Sequence, residues 1–172
     1  MVSSHAGNIS VRVNENILIT KSGTMLGRLT SKDLTCVEIG DKKDKNLHQA
    51  SMETVVHEAI YKNSNAKAVI HTHPVYSIIL SFFLKDRFIP IDSEGKFVLK
   101  EVPIISAEKT ISSKEVADKI GKIANLYPVA IIKSHGVFAW SSSVEKAFYL
   151  TTALENSAKI FYLTEKWKKE NS

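Results

Sequence analysis

Apolar and polar residues recur with two different spacings along this chain. Alternating apolar residues, as over 9–13, indicate strands, whereas apolar residues three and four apart, as over 52–60, indicate a helix. The strand-like runs are 9–13, 17–20, 34–39, 68–71, 89–91, 96–99, 102–105, 129–132 and 137–140. The helix-like runs are 51–60, 75–84, 112–126 and 144–168. We predict Ser51 to be the N-cap of the first helix, with Glu53 as an acid in its first turn.

These elements predict an α/β fold of the α+β type, in which helices flank a central, mainly antiparallel mixed sheet. With 172 residues, of which 44% are hydrophobic, the chain is long enough for one domain with a substantial core and short for two. We therefore expect a single domain over 1–172. The longest apolar run, 75–84, contains two serines and is too short for a membrane span, so we expect no membrane segment.

The charge and cysteine content narrow the function classes. The net charge of +5 comes largely from lysines at 41–45 and 166–170, which are typical of solvated surface, and no nucleic-acid-binding motif accompanies them. We therefore expect no nucleic-acid partner, and a small anionic substrate suits the mildly basic balance. The start of the chain lacks a signal peptide, and the single Cys36 cannot form an internal disulfide, so we expect a cytoplasmic location.

Histidines mark the candidate chemistry. His71 and His73 end an apolar strand and, as alternate residues, point to one face. His135 follows a second apolar strand and precedes Gly136, while Glu53 lies near the start of a helix. Three imidazoles and a carboxylate suit a catalytic metal site, with Zn²⁺ first and Fe, Co, Mn or Ni as alternatives. The competing interpretation is that the pair consists of two unrelated histidines, one packed in the core and one hydrogen-bonded.

Five short motifs, taken together, resemble a known family. They follow one another in the order seen in the class II sugar-phosphate aldolase and adducin-head superfamily. The motifs are Gly7-Asn8-Ile9-Ser10, Ser22-Gly23, Ser51-Met52-Glu53, His71-Thr72-His73-Pro74 and Ser134-His135-Gly136. Within that superfamily, which also contains ribulose-phosphate epimerases, the chain is most similar to the L-fuculose-phosphate aldolases.

The resemblance implies a class II aldolase fold and a zinc-dependent lyase. It implies that His71, His73 and His135 bind one Zn²⁺ per subunit, and that Glu53 is the catalytic acid/base and is also able to serve as a fourth ligand. The residues that would hold the substrate phosphate are Gly7, Asn8, Ser22, Gly23 and Ser51. The implied reaction cleaves a ketose 1-phosphate, such as L-fuculose 1-phosphate, to dihydroxyacetone phosphate and an aldehyde through a metal-stabilised enediolate. The implied assembly is a homotetramer with active sites at the subunit interfaces.

The chain departs from the family pattern in three places. Met52 stands where a serine is usual, which removes one hydroxyl from the phosphate site. The stretch 102–113 contains no tyrosine, although fuculose-phosphate aldolases use one there to protonate the leaving oxygen. The N-terminal helix that precedes the first phosphate loop in the family is missing, so we expect the sequence to be trimmed.

Several alternatives stay open within the resemblance. The same site would serve a pentulose-phosphate 4-epimerase or a 3-oxo-acid-phosphate decarboxylase, whereas Glu53 disfavours the methylthioribulose-phosphate dehydratases. A non-catalytic scaffold like the adducin head is disfavoured because the three histidines and Glu53 are all present. His57, one helical turn after Glu53, is either a supporting residue of the site or an ordinary helix histidine.

Overall fold

An eight-stranded mixed sheet forms the centre of the protein in the computed structural model, which describes residues 3–171. In chain order, the strands are β1 (Asn8–Val13), β2 (Asn16–Thr20), β3 (Leu34–Glu38), β4 (Ala68–Thr72), β5 (Arg87–Phe88), β6 (Val102–Ile105), β7 (Val129–Ile132) and β8 (Gly136–Ser141). Across the sheet their order is β3-β2-β1-β4-β8-β7-β6-β5. All neighbouring pairs are antiparallel except β6 and β7, which are parallel. The predicted mainly antiparallel mixed sheet is confirmed.

Helices cover both faces of this sheet. Within the described residues they are α1 (Thr54–Lys62), α2 (Val75–Phe83), α3 (Ser93–Val98), α4 (Lys114–Ile123) and α5 (Val144–Glu170). Helices α1 and α4 contribute to one hydrophobic core, and α2 and α5 to a second, with α3 packed against α5. Ile132 belongs to the first core and its neighbour Ile131 to the second. Strand β7 is therefore a continuous apolar run because both of its faces are buried.

The predicted elements between 89 and 99 are wrong. The strand lies earlier, at β5, and 93–98 form helix α3 rather than a strand. Asp92 starts this helix, because its side chain accepts a hydrogen bond from the Gly95 N–H at 2.8 Å. The segment 92–95, which has the composition of a turn, is thus the cap and first turn of a short helix.

The N-cap of the first helix lies two residues later than predicted. Glu53 occupies the N-cap position of α1, and Ser51 lies in the preceding turn. The Ser51 carbonyl accepts the Thr54 N–H at 3.0 Å, and its hydroxyl accepts the Glu53 N–H at 3.3 Å. Ser51 therefore shapes the turn that delivers Glu53.

The outer limits of the chain bear on two predictions. The expected single domain spans 1–172, and Met1, Val2 and Ser172 lie outside the described residues, so its extent stays a prediction. The expectation that the chain lacks a signal peptide also concerns Met1 and Val2, which lie outside the described residues, so it stays a prediction. Across 3–171, none of the helices has the length and apolar character needed to cross a membrane.

Candidate metal and substrate site

The two histidines at the end of β4 converge on one point. The Nε2 atoms of His71 and His73 lie 3.0 Å apart. His71 is buried, and its Nδ1 lies 3.0 Å from the carbonyl oxygen of Val137 on β8. This carbonyl accepts the ring proton, so Nε2 of His71 keeps its lone pair for another partner. The two imidazoles are therefore in direct contact, and their role as metal ligands stays a prediction.

His135 reaches the pair from a tight turn between β7 and β8. Its ring centroid lies 4.7 Å from that of His71 and 5.0 Å from that of His73. Ser134 adopts a left-handed backbone with φ of 62°, and its N–H donates to the hydroxyl of Ser81 on α2 at 3.0 Å. This anchor to a fully buried side chain fixes where the turn presents His135.

Gly136 lets β8 pass close to the histidine pair. A Cβ atom on this residue would lie 2.4 Å from the carbonyl oxygen of Thr72 and 2.8 Å from Cδ2 of His73. Both distances are far shorter than a van der Waals contact, so only glycine fits here. The motif of a histidine followed by glycine is therefore a packing requirement.

The three histidines form a group that could hold a metal ion. Their ligand atoms all lie within 4.8 Å of one another. Nitrogens bound about 2.05 Å from a tetrahedral Zn²⁺ are about 3.3 Å apart, so the 3.0 Å between the Nε2 atoms of His71 and His73 is close to coordination spacing. Nitrogen donors without a thiolate suit zinc or another divalent transition metal.

Electrostatics keep these imidazoles neutral. Burial, reinforced by His135 and His73, holds the pKa of His71 well below its usual value. Burial also lowers the pKa of His73, and burial with the neighbouring His73 lowers the pKa of His135 to about 4. At neutral pH the rings therefore offer lone pairs without having to release a proton.

Glu53 presents one satisfied and one unsatisfied oxygen to this group. Its Oε1 accepts the Ser112 N–H at 2.9 Å and lies 3.9 Å from Nε2 of His135. Its Oε2 is buried and has no hydrogen-bond partner among the described residues. Burial raises the pKa of Glu53, and the Ser112 bond opposes that shift. A buried carboxylate oxygen without a partner requires an explanation, and a bound cation or substrate proton supplies one.

Ser112 helps to position Glu53, and sequence reasoning did not identify it as part of the site. Its backbone is left-handed, with φ of 51°, and its hydroxyl donates to the Met52 carbonyl at 2.9 Å. The Ser112-Ser113 pair has the composition of a helix cap, and Ser113 does cap α4. Ser112 instead fastens the 106–113 loop to the start of α1, and no local pattern distinguishes the two roles.

All nine predicted site residues line one cavity of about 160 Å³. Gly7 and Gly23 are both left-handed there, with φ of 82° and 74°. The other lining residues are His5, Ala6, Lys21, Met52 and Ile111. Sequence reasoning did not single out Lys21, the lining residue that directly follows β2. An open cleft of about 730 Å³ around Tyr127 and Trp140 is larger but contains none of the nine.

His57 does not lie on the surface of α1. Its side chain is fully buried, and its ring nitrogens contact Asn8 and Ser10. It therefore supports the cavity through Asn8, one of the residues in the lining, and makes no side-chain hydrogen bond to Glu53.

Comparison with known proteins agrees with this geometry. Residues 1–162 match the family model described as Class II Aldolase and Adducin N-terminal domain. The crystal structure of L-fuculose-1-phosphate aldolase from Thermus thermophilus superposes with a TM-score of 0.91 and 34% identity, covering 98% of this chain and 87% of that one. The two share one fold.

Relatives of similar identity have different names. A 3-oxo-tetronate 4-phosphate decarboxylase from Haemophilus influenzae is 31% identical, covering 91% of this chain and 77% of its own length. A methylthioribulose-1-phosphate dehydratase from Acidiphilium cryptum is also 31% identical, covering 90% of this chain and 78% of its own length. Sequence similarity alone therefore does not separate these reactions.

Proposed function

The chain belongs to the class II aldolase and adducin N-terminal domain family, and on this premise we propose that it is a zinc-dependent aldolase. Its substrate is a ketose 1-phosphate resembling L-fuculose 1-phosphate, which it cleaves to dihydroxyacetone phosphate and an aldehyde. The observation that carries the proposal is the buried Glu53 carboxylate, with one unpartnered oxygen, beside three neutral histidines. Such a set suits both metal binding and proton transfer at one point.

The metal would be held by His71, His73 and His135. The absence of a thiolate, the proton of His71 on Nδ1 and the low pKa of each ring all favour a divalent ion at these nitrogens. When bound, the ion supplies a Lewis acid for the carbonyl and hydroxyl oxygens of the sugar.

Glu53 would be the acid/base. Its raised pKa brings the carboxyl group closer to the working pH, which favours both accepting and releasing a proton. Ser112 holds Oε1, so proton transfer falls to Oε2, the atom without a partner. No tyrosine lies in 102–113, so a second proton donor must come from elsewhere.

The phosphate would lie against Gly7, Asn8, Ser22, Gly23 and Ser51. Left-handed glycines allow close backbone approach, and the two hydroxyls and the Asn8 amide supply donors. Lys21 belongs to the same lining, and its ammonium group would offset the hydroxyl that Met52 cannot provide if it turns towards the phosphate. Met52 itself is 63% exposed at the rim.

Decarboxylation of a 3-oxo-acid phosphate is the second candidate. The Haemophilus influenzae relative, named for that reaction, favours it. The two reactions leave different products: carbon dioxide in one case and dihydroxyacetone phosphate in the other.

The test combines metal content with product analysis on one purified sample. Elemental analysis measures zinc per chain, and a panel of ketose 1-phosphates is assayed for dihydroxyacetone phosphate before and after chelation. We expect about one zinc per chain and release that chelation abolishes. Carbon dioxide from a 3-oxo-acid phosphate, with no release from any ketose 1-phosphate, would favour the second candidate. Folded protein without stoichiometric metal would contradict both.

A homotetramer completes the proposal. Exposed aromatic side chains on α2 and α5 support an interface between subunits. Phe82 is 58% exposed, Phe83 is 77% exposed and Trp167 is 67% exposed. Sedimentation should give about four times the 19.1 kDa chain mass. A monomer at micromolar concentration would contradict this part of the proposal and leave the chemistry to be tested separately.

A further inference from the structure

A chain of four buried polar side chains runs from β1 into α1. Oδ1 of Asn8 lies 2.6 Å from Nε2 of His57, and Nδ1 of His57 lies 2.7 Å from Oγ of Ser10. Oγ of Ser10 lies 2.8 Å from the hydroxyl of Tyr61. His57 is fully buried, and the other three are at most 6% exposed. The first of the four also lines the cavity of about 160 Å³.

Burial keeps the two titratable members of this series of side chains, His57 and Tyr61, uncharged. It lowers the pKa of His57 to about 3 and raises the pKa of Tyr61. His57 therefore carries one ring proton and can donate from only one nitrogen. Whichever nitrogen donates, the other accepts, so the two bonds that His57 makes to Asn8 and Ser10 share one direction of donation.

We propose that His57 is a positioning residue that turns the N–H donors of the Asn8 amide towards the substrate phosphate. Its proton lies on Nε2 and is donated to Oδ1 of Asn8, so Nδ2 is left for the ligand. This inference rests on the proposed function, because it assigns the orientation of a residue in the proposed phosphate site.

The chemistry of phosphate selects this direction. A phosphate dianion only accepts hydrogen bonds, so an amide oxygen turned towards it would repel it. With Oδ1 on Nε2–H, Nδ1 of His57 must accept the Ser10 hydroxyl proton, and Ser10 must accept that of Tyr61. The protonated, buried Tyr61 is a suitable start for this sequence of donors. Reversing the direction would present an acceptor to the phosphate.

The four hydrogen-bonded side chains thus make the cavity selective for an anionic hydrogen-bond acceptor. Asn8 alone could rotate its amide to suit either a donor or an acceptor on the ligand. His57 removes that freedom before the ligand arrives, which lowers the cost of ordering the site. A sugar without a phosphate would gain nothing from this arrangement.

The first test reads the proton directly. Long-range ¹H–¹⁵N correlation on the full, metal-loaded chain with labelled histidine distinguishes the two neutral forms of His57. We expect the proton on Nε2. A proton on Nδ1 would overturn the inference whatever the enzyme's activity.

The second test measures phosphate affinity in variants. Inorganic phosphate is titrated into the metal-loaded wild type, His57→Leu and His57→Gln, with His48→Gln as the control because His48 lies outside the cavity lining. We expect His57→Leu to bind phosphate about tenfold more weakly, and His57→Gln, which retains an amide donor, to lie between it and the wild type. Unchanged phosphate affinity in His57→Leu would overturn the inference.

Kinetics separates positioning from a general loss of structure. His57→Leu should raise KM for the ketose 1-phosphate while kcat stays within about threefold of wild type, because Glu53 and the histidines are untouched. A fall in kcat with unchanged KM would contradict the inference. If His57→Leu does not fold, the proton position and His57→Gln still decide.

The two proposals fail in different ways. Wild-type protein that binds phosphate with the proton on Nε2 but releases no dihydroxyacetone phosphate would refute the aldolase reaction and support the role of His57. Wild-type protein that releases dihydroxyacetone phosphate without binding inorganic phosphate would support the aldolase reaction and refute the role of His57.

Discussion

Two buried polar clusters both contact the ring of Phe138, and they differ in how many of their polar atoms have hydrogen-bond partners. In the cluster of Asn8, Ser10, His57 and Tyr61, the side chains hydrogen-bond to one another. In the cluster of Glu53 and the three histidines, Oε2 of Glu53 lacks a partner within residues 3–171. The ring of Phe138 stacks on His71 with centroids 4.1 Å apart and meets His57 edge-on at 5.8 Å.

The difference teaches what each cluster contributes. A buried polar group without a partner costs free energy, so a protein retains it where a ligand completes it. A cluster whose side chains bond to one another holds its members in one geometry. Removing a side chain should therefore cost metal binding or proton transfer in the unsaturated cluster. In the saturated cluster it should cost stability and, where it frees the Asn8 amide to rotate, phosphate affinity.

The largest effect is expected from His73→Ala. Loss of one of three nitrogen donors should remove most of the bound metal and lower product release at least about a thousandfold. The free energy of unfolding without metal should change by less than about 1 kcal/mol, because the ring of His73 is only partly buried and its one hydrogen-bond partner is another histidine. His48→Ala is the control, and elemental analysis is the measurement. Full metal content in His73→Ala would remove this residue from the site.

Glu53→Gln should lower product release about a hundredfold to ten-thousandfold. The amide keeps the shape of the side chain and an oxygen for the Ser112 N–H, so the metal content should match that of the wild type. Glu38→Gln, on an exposed position of β3, serves as the control. Wild-type release by Glu53→Gln would show that another group moves the proton.

The saturated cluster should make stability depend on pH. The pKa of His57 is about 3 in the folded chain and about 6.5 when unfolded, so the unfolded state binds more protons between these values. The contribution of His57 to the free energy of unfolding is then fully present above the unfolded pKa and is lost as the pH decreases. We expect a loss of about 2 kcal/mol between pH 7 and pH 5 from this residue. Urea unfolding at both pH values, with His57→Gln for comparison, measures it. An equal pH dependence in the variant would show that His57 does not cause it.

Tyr61→Phe gives the smallest expected effect. It removes one hydroxyl from the buried cluster and should lower the free energy of unfolding by about 1 kcal/mol with little change in product release. Tyr149→Phe is the matched control, because its hydroxyl bonds to Glu94 on the exposed surface. Equal unfolding midpoints for the two variants would show that the Tyr61 hydroxyl contributes nothing to the cluster.

Much of the fold follows from local patterns, and the exceptions have physical causes. Strands β4, β7 and β8 are apolar runs bounded by turns, and Ser113 and Ser143 cap α4 and α5 as their composition indicates. Helix α3 was missed because six residues are too few to show helical periodicity. Asp92, which caps this helix, is followed by Ser93, Glu94 and Gly95, and such a sequence is equally typical of a turn.

The site divides in the same way. The convergence of His71 and His73 is a local consequence of strand geometry. The bond from Ser112 to Glu53 joins residues 59 positions apart, and its donor is a backbone N–H that no side-chain pattern reveals. The burial of His57 depends on how α1 packs against β1, which a periodicity of four residues does not specify. The reaction, the tetramer and the cytoplasmic location stay predictions.

Gly136 gives the histidine pair an unusual vulnerability. It takes no part in binding or proton transfer, yet any other amino acid there would drive a Cβ into the backbone of Thr72 and the ring of His73. In a library of random variants, position 136 should accept only glycine, whereas many exposed polar positions should accept most amino acids. The chemistry of the site could thus be lost by a change at a residue that has no chemistry of its own.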